Sequence, residues 1–433
     1  MRFTSLSHPT MGLHILSTTK FKTNTLVLNI RCPLEAGRVT RRALLPYVLT
    51  RGTAQHPSVR QMQAQLDRMY GSYLNADVFK LGENQIVQFR LELPNGKYIP
   101  GKPELLKDAI AFFHGVLTDP VREGGLLKSS FVELEKEALR KRVEGLFNHK
   151  THYARIRCVE EMFRDEPYHL FSGGRIEDLP AIDPAALEAE FQAMLAESPM
   201  DMFVLGDVNP QAVEEELQRV FHFNGLRPSA PACPPWAPVI GHAPTQPRQL
   251  TEHTDVNQGQ LVLGLRTPVR IESDDYYAMK MYNGLLGAFS HSKLFMTLRE
   301  KESLAYATSS RYDAHKGALF IQAGIDIAHE ARALKVIEAQ LEALQQGAIT
   351  DEELHQTRAM LLNTYREAND SPGALINLAF EAIVAGQARP VEELAAALPV
   401  IGRAEIQAVA NKLSLDTVYF LRDPLPDAIA TAS

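Results

Sequence analysis

The sequence predicts an α+β protein built from two homologous layered domains, each a mixed sheet with helices on one face, and three observations carry that prediction. Leu26–Pro33 reads LVLNIRCP and Leu261–Pro268 reads LVLGLRTP, two alternating apolar strands, each closed by proline and followed by a long helical stretch. Between them, Arg227–Gln249 holds seven prolines, which interrupt helix and central strand alike and favour an extended connector. On either side, runs of paired strands alternate with runs of helices, the pattern of helices layered on a sheet. The expected organisation is an N-terminal domain over residues 1–226, a linker over 227–249 and a C-terminal domain over 250–433.

The remaining elements follow in matched order. After the first proline-closed strand, Tyr73 opens a strand leading across Leu81-Gly82-Glu83-Asn84, a hairpin turn, to the alternating Ile86–Leu93. In the second half, Tyr306 opens a strand that leads to Ala318–Gly324. Glu133-Leu134 starts a long charged amphipathic helix in the first half, and Glu353-Leu354 starts one in the second. A final strand closes each half, Asp201–Gly206 with helix Ala212–Phe221 in the first and Thr417–Leu421 in the second. One matching octapeptide is weak evidence, but three landmarks in the same order indicate a duplicated domain.

At 433 residues the chain exceeds the size at which a single core keeps growing. Its net charge of −7 is spread over both halves and no basic block stands out, which argues against a nucleic-acid partner. The N-terminal MRFTSLSHPTMGLHILSTTKFK lacks an apolar run of signal-peptide length, and no later stretch approaches a spanning helix. The expectation is a cytoplasmic protein without a membrane partner. Cys32, Cys158 and Cys233 are far apart with no C-x-x-C spacing, and read as thiols of a reducing compartment.

Between Arg41 and Thr53 the chain reads RRALLPYVLTRGT. This segment resembles the helix on which insulinase/pitrilysin-family zinc peptidases carry the inverted motif H-x-x-E-H shortly before a Gly-Thr pair. Ala43, Pro46 and Tyr47 stand where His, Glu and His would be, so the resemblance implies that two metal ligands and the general base are missing together. Zinc lowers the pKa of bound water from about 15.7 to roughly 7, on the order of 12 kcal/mol, and no other group in the sequence replaces it. Pro46 removes a backbone hydrogen bond and crowds the preceding turn, which argues against an intact motif helix.

The strongest positive signal is Phe289–Tyr312, FSHSKLFMTLREKESLAYATSSRY. Leu294, Phe295 and Leu298 share one helix face, and Leu304–Tyr312 then alternates as a strand, so Arg299 at the helix end and Tyr306 near the strand start can converge. The segment resembles the family's L-R-x-K-x-x-L-x-Y signature, whose arginine and tyrosine face the zinc across the cleft. A phenol can donate to a developing oxyanion while a guanidinium fixes a neighbouring carbonyl. The plainer alternative pairs Arg299 with Glu302 at a helix end and makes Tyr306 a packed strand aromatic.

Other clusters carry less. Glu133, Glu135, Glu137 and Glu144 lie where these peptidases present a third zinc ligand, with Glu144 or Glu137 the best matches. A lone carboxylate cannot hold zinc, and Glu137 with Lys141 reads as an ordinary helix pair. His149 and His152 are three apart on a continuation of that helix, without an identifiable third ligand. Glu166-Pro167-Tyr168-His169 and Ser172-Gly173-Gly174 resemble the family's Pro-Tyr and glycine loop, a hinge or chain-contact segment. No H-x-x-E-H or H-E-x-x-H occurs anywhere, which argues against a self-sufficient hydrolase.

The family includes two-chain enzymes in which one subunit keeps the zinc motif and a homologous subunit keeps the Arg-Tyr pair. The resemblance implies a half-clamshell subunit of the second kind. It holds no cofactor of its own, pairs with a homologous subunit that supplies zinc, and binds a peptide or unfolded polypeptide. A homodimer is the alternative assembly. A rival of another class is a binding or scaffold protein without hydrolysis, since some relatives carry a family name linked to modification of translation elongation factor P.

Overall fold

The computed structural model describes residues 2–6, 8–101, 104–221, 241, 243–387, 389 and 391–423. Most of the proline-rich stretch, with Cys233, lies outside the described residues, while Arg248-Gln249 open an edge strand.

The first sheet has six strands, in the order Thr4–Leu6, Gly12–Ser17, Met200–Gly206, Thr23–Pro33, Asn84–Pro94 and Tyr73–Leu81. The second has five, in the order Arg248–His253, Ser414–Arg422, Gly259–Arg266, Ala318–Ile325 and Ala305–Asp313. Apart from the extra Thr4–Leu6, the two orders match strand for strand. Each proline-closed strand sits centrally, antiparallel to a hairpin strand on one side and to the half's last strand on the other. That last strand runs parallel to the half's first long one, Gly12–Ser17 or Arg248–His253. The repeated octapeptides are therefore the two sheet centres, where strands bury both faces and read as near-continuous apolar runs.

Alternation decides which residues meet which layer. In the second sheet Leu261, Leu263 and Leu265 join Tyr282, Leu294, Leu298 and Ile337 in one core. Val262 on the opposite face packs with Ala154, Cys158 and Met162 of helix Lys150–Met162. Burying each such leucine contributes about 1.5–3 kcal/mol. In the first sheet Leu26, Leu28 and Ile30 meet Leu44, Leu45, Val48 and Phe113, and Phe203 on the other face lies edge-on to Phe380, 6.2 Å between ring centres.

Two compact units result. The first comprises Met1–Glu144, Leu170–Trp236 and Ser371–Glu381, and the second Gly145–His169, Ala237–Asp370 and Ala382–Ser433. Cys32 and Cys158 are buried free thiols. No helix among the described residues is long and apolar enough to cross a membrane.

Candidate functional site

The motif helix spans Val39–Leu49 and runs through Pro46, contrary to the sequence expectation of a disrupted helix. Proline costs one backbone hydrogen bond there, the one to the Arg42 carbonyl, and burial of the whole apolar face holds the helix regardless. Ala43 is buried and Tyr47 half-buried. The loop at Ser172–Gly174 closes on this helix: the Gln85 amide donates to the Val39 and Ser172 carbonyls, both at 2.8 Å. Gly174 has φ +86°, and a Cβ there would lie 3.1 Å from the Thr40 Cα and 3.3 Å from the Ala43 Cβ, so the loop requires glycine.

Charge fixes the same helix from two sides. Arg42, 1% exposed, donates to Glu190 at 2.8 Å, to the Pro33 carbonyl at 2.6 Å and to Glu35 at 3.1 Å. Arg38 meets Glu190 at 2.8 Å as well. Near Tyr47, the Arg142 guanidinium lies 3.9 Å from the phenol ring centre. Glu135 is buried, with Arg51 at 2.7 Å and Arg142 at 3.7 Å. Burial pushes the Tyr47 phenol up from its usual value, and Arg142 opposes the shift.

This arrangement does not fit zinc. Ala43 and Pro46 offer no ligand atom, and an arginine cation already stands over Tyr47. Glu137 and Glu144 are exposed, Glu137 being shared between Arg140 and Lys141. No group of three or more His, Cys, Asp or Glu side chains among the described residues is placed to hold a metal. Sequence reasoning missed the Arg51–Glu135–Arg142 cluster, although Glu135 and Arg142 lie two turns apart on one face of helix Ser129–Asn148, a readable spacing.

In the second unit, Phe295–Lys301 is a π-helical segment and Ala305–Asp313 an edge strand. Between them Ser303 takes φ +50°, and the Leu304 amide reaches back to the Leu298 carbonyl at 2.7 Å. Ala305 pairs with Ile325 and Ala307 with Gly324, so Tyr306 falls in a β-bulge with no residue opposite. It is 73% exposed. Bulges and π-segments re-aim side chains and are enriched at functional sites. Arg299 is 49% exposed, lies over Phe295 at 4.8 Å, and its nearest acid is Glu300 at 3.5 Å. Glu302 instead pairs with Arg332 at 2.5 Å, so the Arg299–Glu302 alternative does not form. No hydrogen bond joins Arg299 to Tyr306.

His149 and His152 do not continue the preceding helix, which ends at Asn148; His149 occupies the N-cap position of a new helix, Lys150–Met162, with no side-chain bond to it. The Pro-Tyr segment is pinned within the second unit. Glu166 bridges Lys316 at 2.5 Å and Arg266 at 2.7 Å, Arg266 continues to Asp416 at 2.6 Å, and the Tyr168 hydroxyl donates to Asp313.

Residues 181–361 match the family model described as the peptidase M16 inactive domain. The chain is similar to the probable inactive metalloprotease YmfF of Bacillus subtilis, at 33% identity over 96% of this chain and 96% of that protein. The chain belongs to the M16 peptidase family. Within it, this M16 protein is a homologue of the inactive type. It shares 28% identity over 57% of its length with the B. subtilis antilisterial bacteriocin subtilosin biosynthesis protein AlbE, of which the match spans 60%. A crystal structure of a conserved protein from Enterococcus faecalis V583 superposes with a TM-score of 0.90 at 28% identity, over 98% of this M16 chain and 99% of that one.

Proposed function

We propose that this M16 protein is the non-catalytic subunit of a two-chain zinc peptidase of the cytoplasm. Its residues 1–226 are a peptidase-like domain with a degenerate motif, and residues 250–433 a peptidase-like domain carrying the Arg-Tyr signature. A homologous partner supplies the zinc and activates the water. This chain binds an extended peptide at an exposed sheet edge, for which the outer strand Tyr73–Leu81 is the candidate. Arg299 holds a substrate carbonyl, and the Tyr306 hydroxyl donates to the oxyanion that forms when the scissile carbonyl is attacked.

The observation that carries this reading is the exposure of Tyr306 in its bulge, seven residues after the half-exposed Arg299, in a chain whose motif helix offers no metal ligands. That exposure leaves the Tyr306 phenol accessible to a substrate. The similarity to an inactive metalloprotease supports the same assignment.

The test is reconstitution with a zinc-motif homologue from the same cell. The mixture should cleave peptides well above either chain alone, and Tyr306→Phe should cost about 10²-fold in kcat, the scale of one lost oxyanion donor. Unchanged turnover in Tyr306→Phe and Arg299→Ala overturns the assignment. Peptide binding by the mixture without any cleavage instead supports the scaffold role, including one in elongation factor P modification.

A further inference from the structure

A pocket of about 720 Å³ opens at the start of helix Lys150–Met162, and every residue lining it belongs to the second unit. Its wall is basic on the helix side, with His149, Lys150, His152 and Arg155, and amide-rich on the sheet side, with Gln258, Gln260 and Gln322. Neither the motif helix nor the Arg-Tyr segment contributes to it.

Three independent features suit this pocket to an anion. First, His149 provides no side-chain cap for the 13-residue helix, which leaves the N–H groups of its first turn without a side-chain acceptor. Second, the Arg155 guanidinium donates to His152 Nδ1 at 3.1 Å, which fixes the proton on Nε2 as a further donor. Burial, then the neighbouring Arg155, His149 and Arg311, hold the His152 imidazolium below its usual range. The one acid of the wall, Asp255, is exposed.

The third feature points to a ligand rather than a bare ion. Gln260 is 4% exposed and its Oε1 has no hydrogen-bond partner, and Gln258 Nε2 is likewise unsatisfied. Val262 and Gly264 pack against Cys158 and Met162, so strand alternation puts Gln260 on the face that carries the helix start. The Gln322 amide ties that face to the helix by donating to the Thr151 carbonyl. Buried polar atoms without partners are costly, and a ligand that satisfies them is one explanation of their persistence.

We infer that this pocket binds a small oxyanion-bearing ligand, with the acid group at the helix start beside Lys150 and His152 and an adjacent hydrogen-bond donor on Gln260 Oε1. A peptide's terminal carboxylate with its last amide N–H has this chemistry, and so does a phosphate ester beside a hydroxyl or amine. The site is separate from the proposed peptidase role and does not depend on it.

The test is calorimetric titration of the full chain with inorganic phosphate and with trialanine, carrying either a free or an amidated carboxyl terminus. Saturable one-to-one binding of phosphate, or of the free-acid peptide but not the amide, supports the site and identifies the source of the anion. Lys150→Gln should weaken that binding about tenfold, and Gln260→Glu should abolish it by placing a carboxylate against the ligand. Since Gln260→Glu also risks the fold, half-exposed Lys150→Gln is the deciding variant. No binding of any probe, or binding equal in wild type and Lys150→Gln, overturns the inference.

Discussion

The motif helix of the first unit and the Arg-Tyr segment of the second use polar groups in opposite ways. Around Val39–Leu49 the buried charges are paired: Arg42 with Glu190, and Glu135 with Arg51 and Arg142, the last also lying over the Tyr47 ring. Around Phe295–Tyr306 the Arg299 and Tyr306 side chains stand exposed, on backbone that departs from regular helix and strand at a π-segment, a positive φ and a bulge. The first region is held as packed framework. The second keeps the irregular geometry that folds maintain where side chains must be aimed.

The comparison breaks most readily at Glu190. Replacing it by alanine leaves Arg42 buried with only the half-exposed Glu35 as an acid partner, and should lower unfolding free energy in urea by about 3–5 kcal/mol. A loss under about 1 kcal/mol would mean that the helix is not held by charge. Next in size is Ala43→His, the first step towards restoring a metal motif. The imidazole must enter a site closed by Gly174, and overpacking of this kind costs about 1–3 kcal/mol. If that variant is neutral, the room for a ligand never closed.

Acid sharpens the contrast by a smaller amount. Burial depresses His56 in the first unit and His152 and His291 in the second. Each is neutral when folded and gains a proton more easily when unfolded, so its contribution is present above the unfolded value near 6.5 and fades as pH falls through the depressed folded value. Thermal midpoints should therefore drop between pH 7.5 and 5.5. Smallest of all should be the stability effects of Arg299→Ala and Tyr306→Phe, within about 0.5 kcal/mol because both side chains are largely exposed. A larger loss in urea would move these residues from function to packing.

Much of this was readable from residue order. The two octapeptides became the sheet centres because alternation of Leu and Val fixes both strand type and burial, and the hairpin at Gly82 formed where Gly82, at φ +56°, supplies the turn. At the positions likened to the motif, residue type alone says that Ala43 and Pro46 bring no ligand atom. What stayed hidden depends on long-range partners. Helix formation through Pro46 is decided by burial against residues far along the chain, and the break at His149 separates two helices whose composition is continuous. The pairing of Arg42 with Glu190, 148 positions apart, has no local signal at all.

Helix Lys150–Met162 is encoded in the first repeat yet covers the second sheet, while Ser371–Glu381, encoded in the second, completes the first unit. Each repeat thus contributes a segment to the other's compact unit. On the ribosome the earlier sheet must wait for residue 381 before its outer face is finished, and a gene split at the prolines would yield fragments that each lack a piece held by the other.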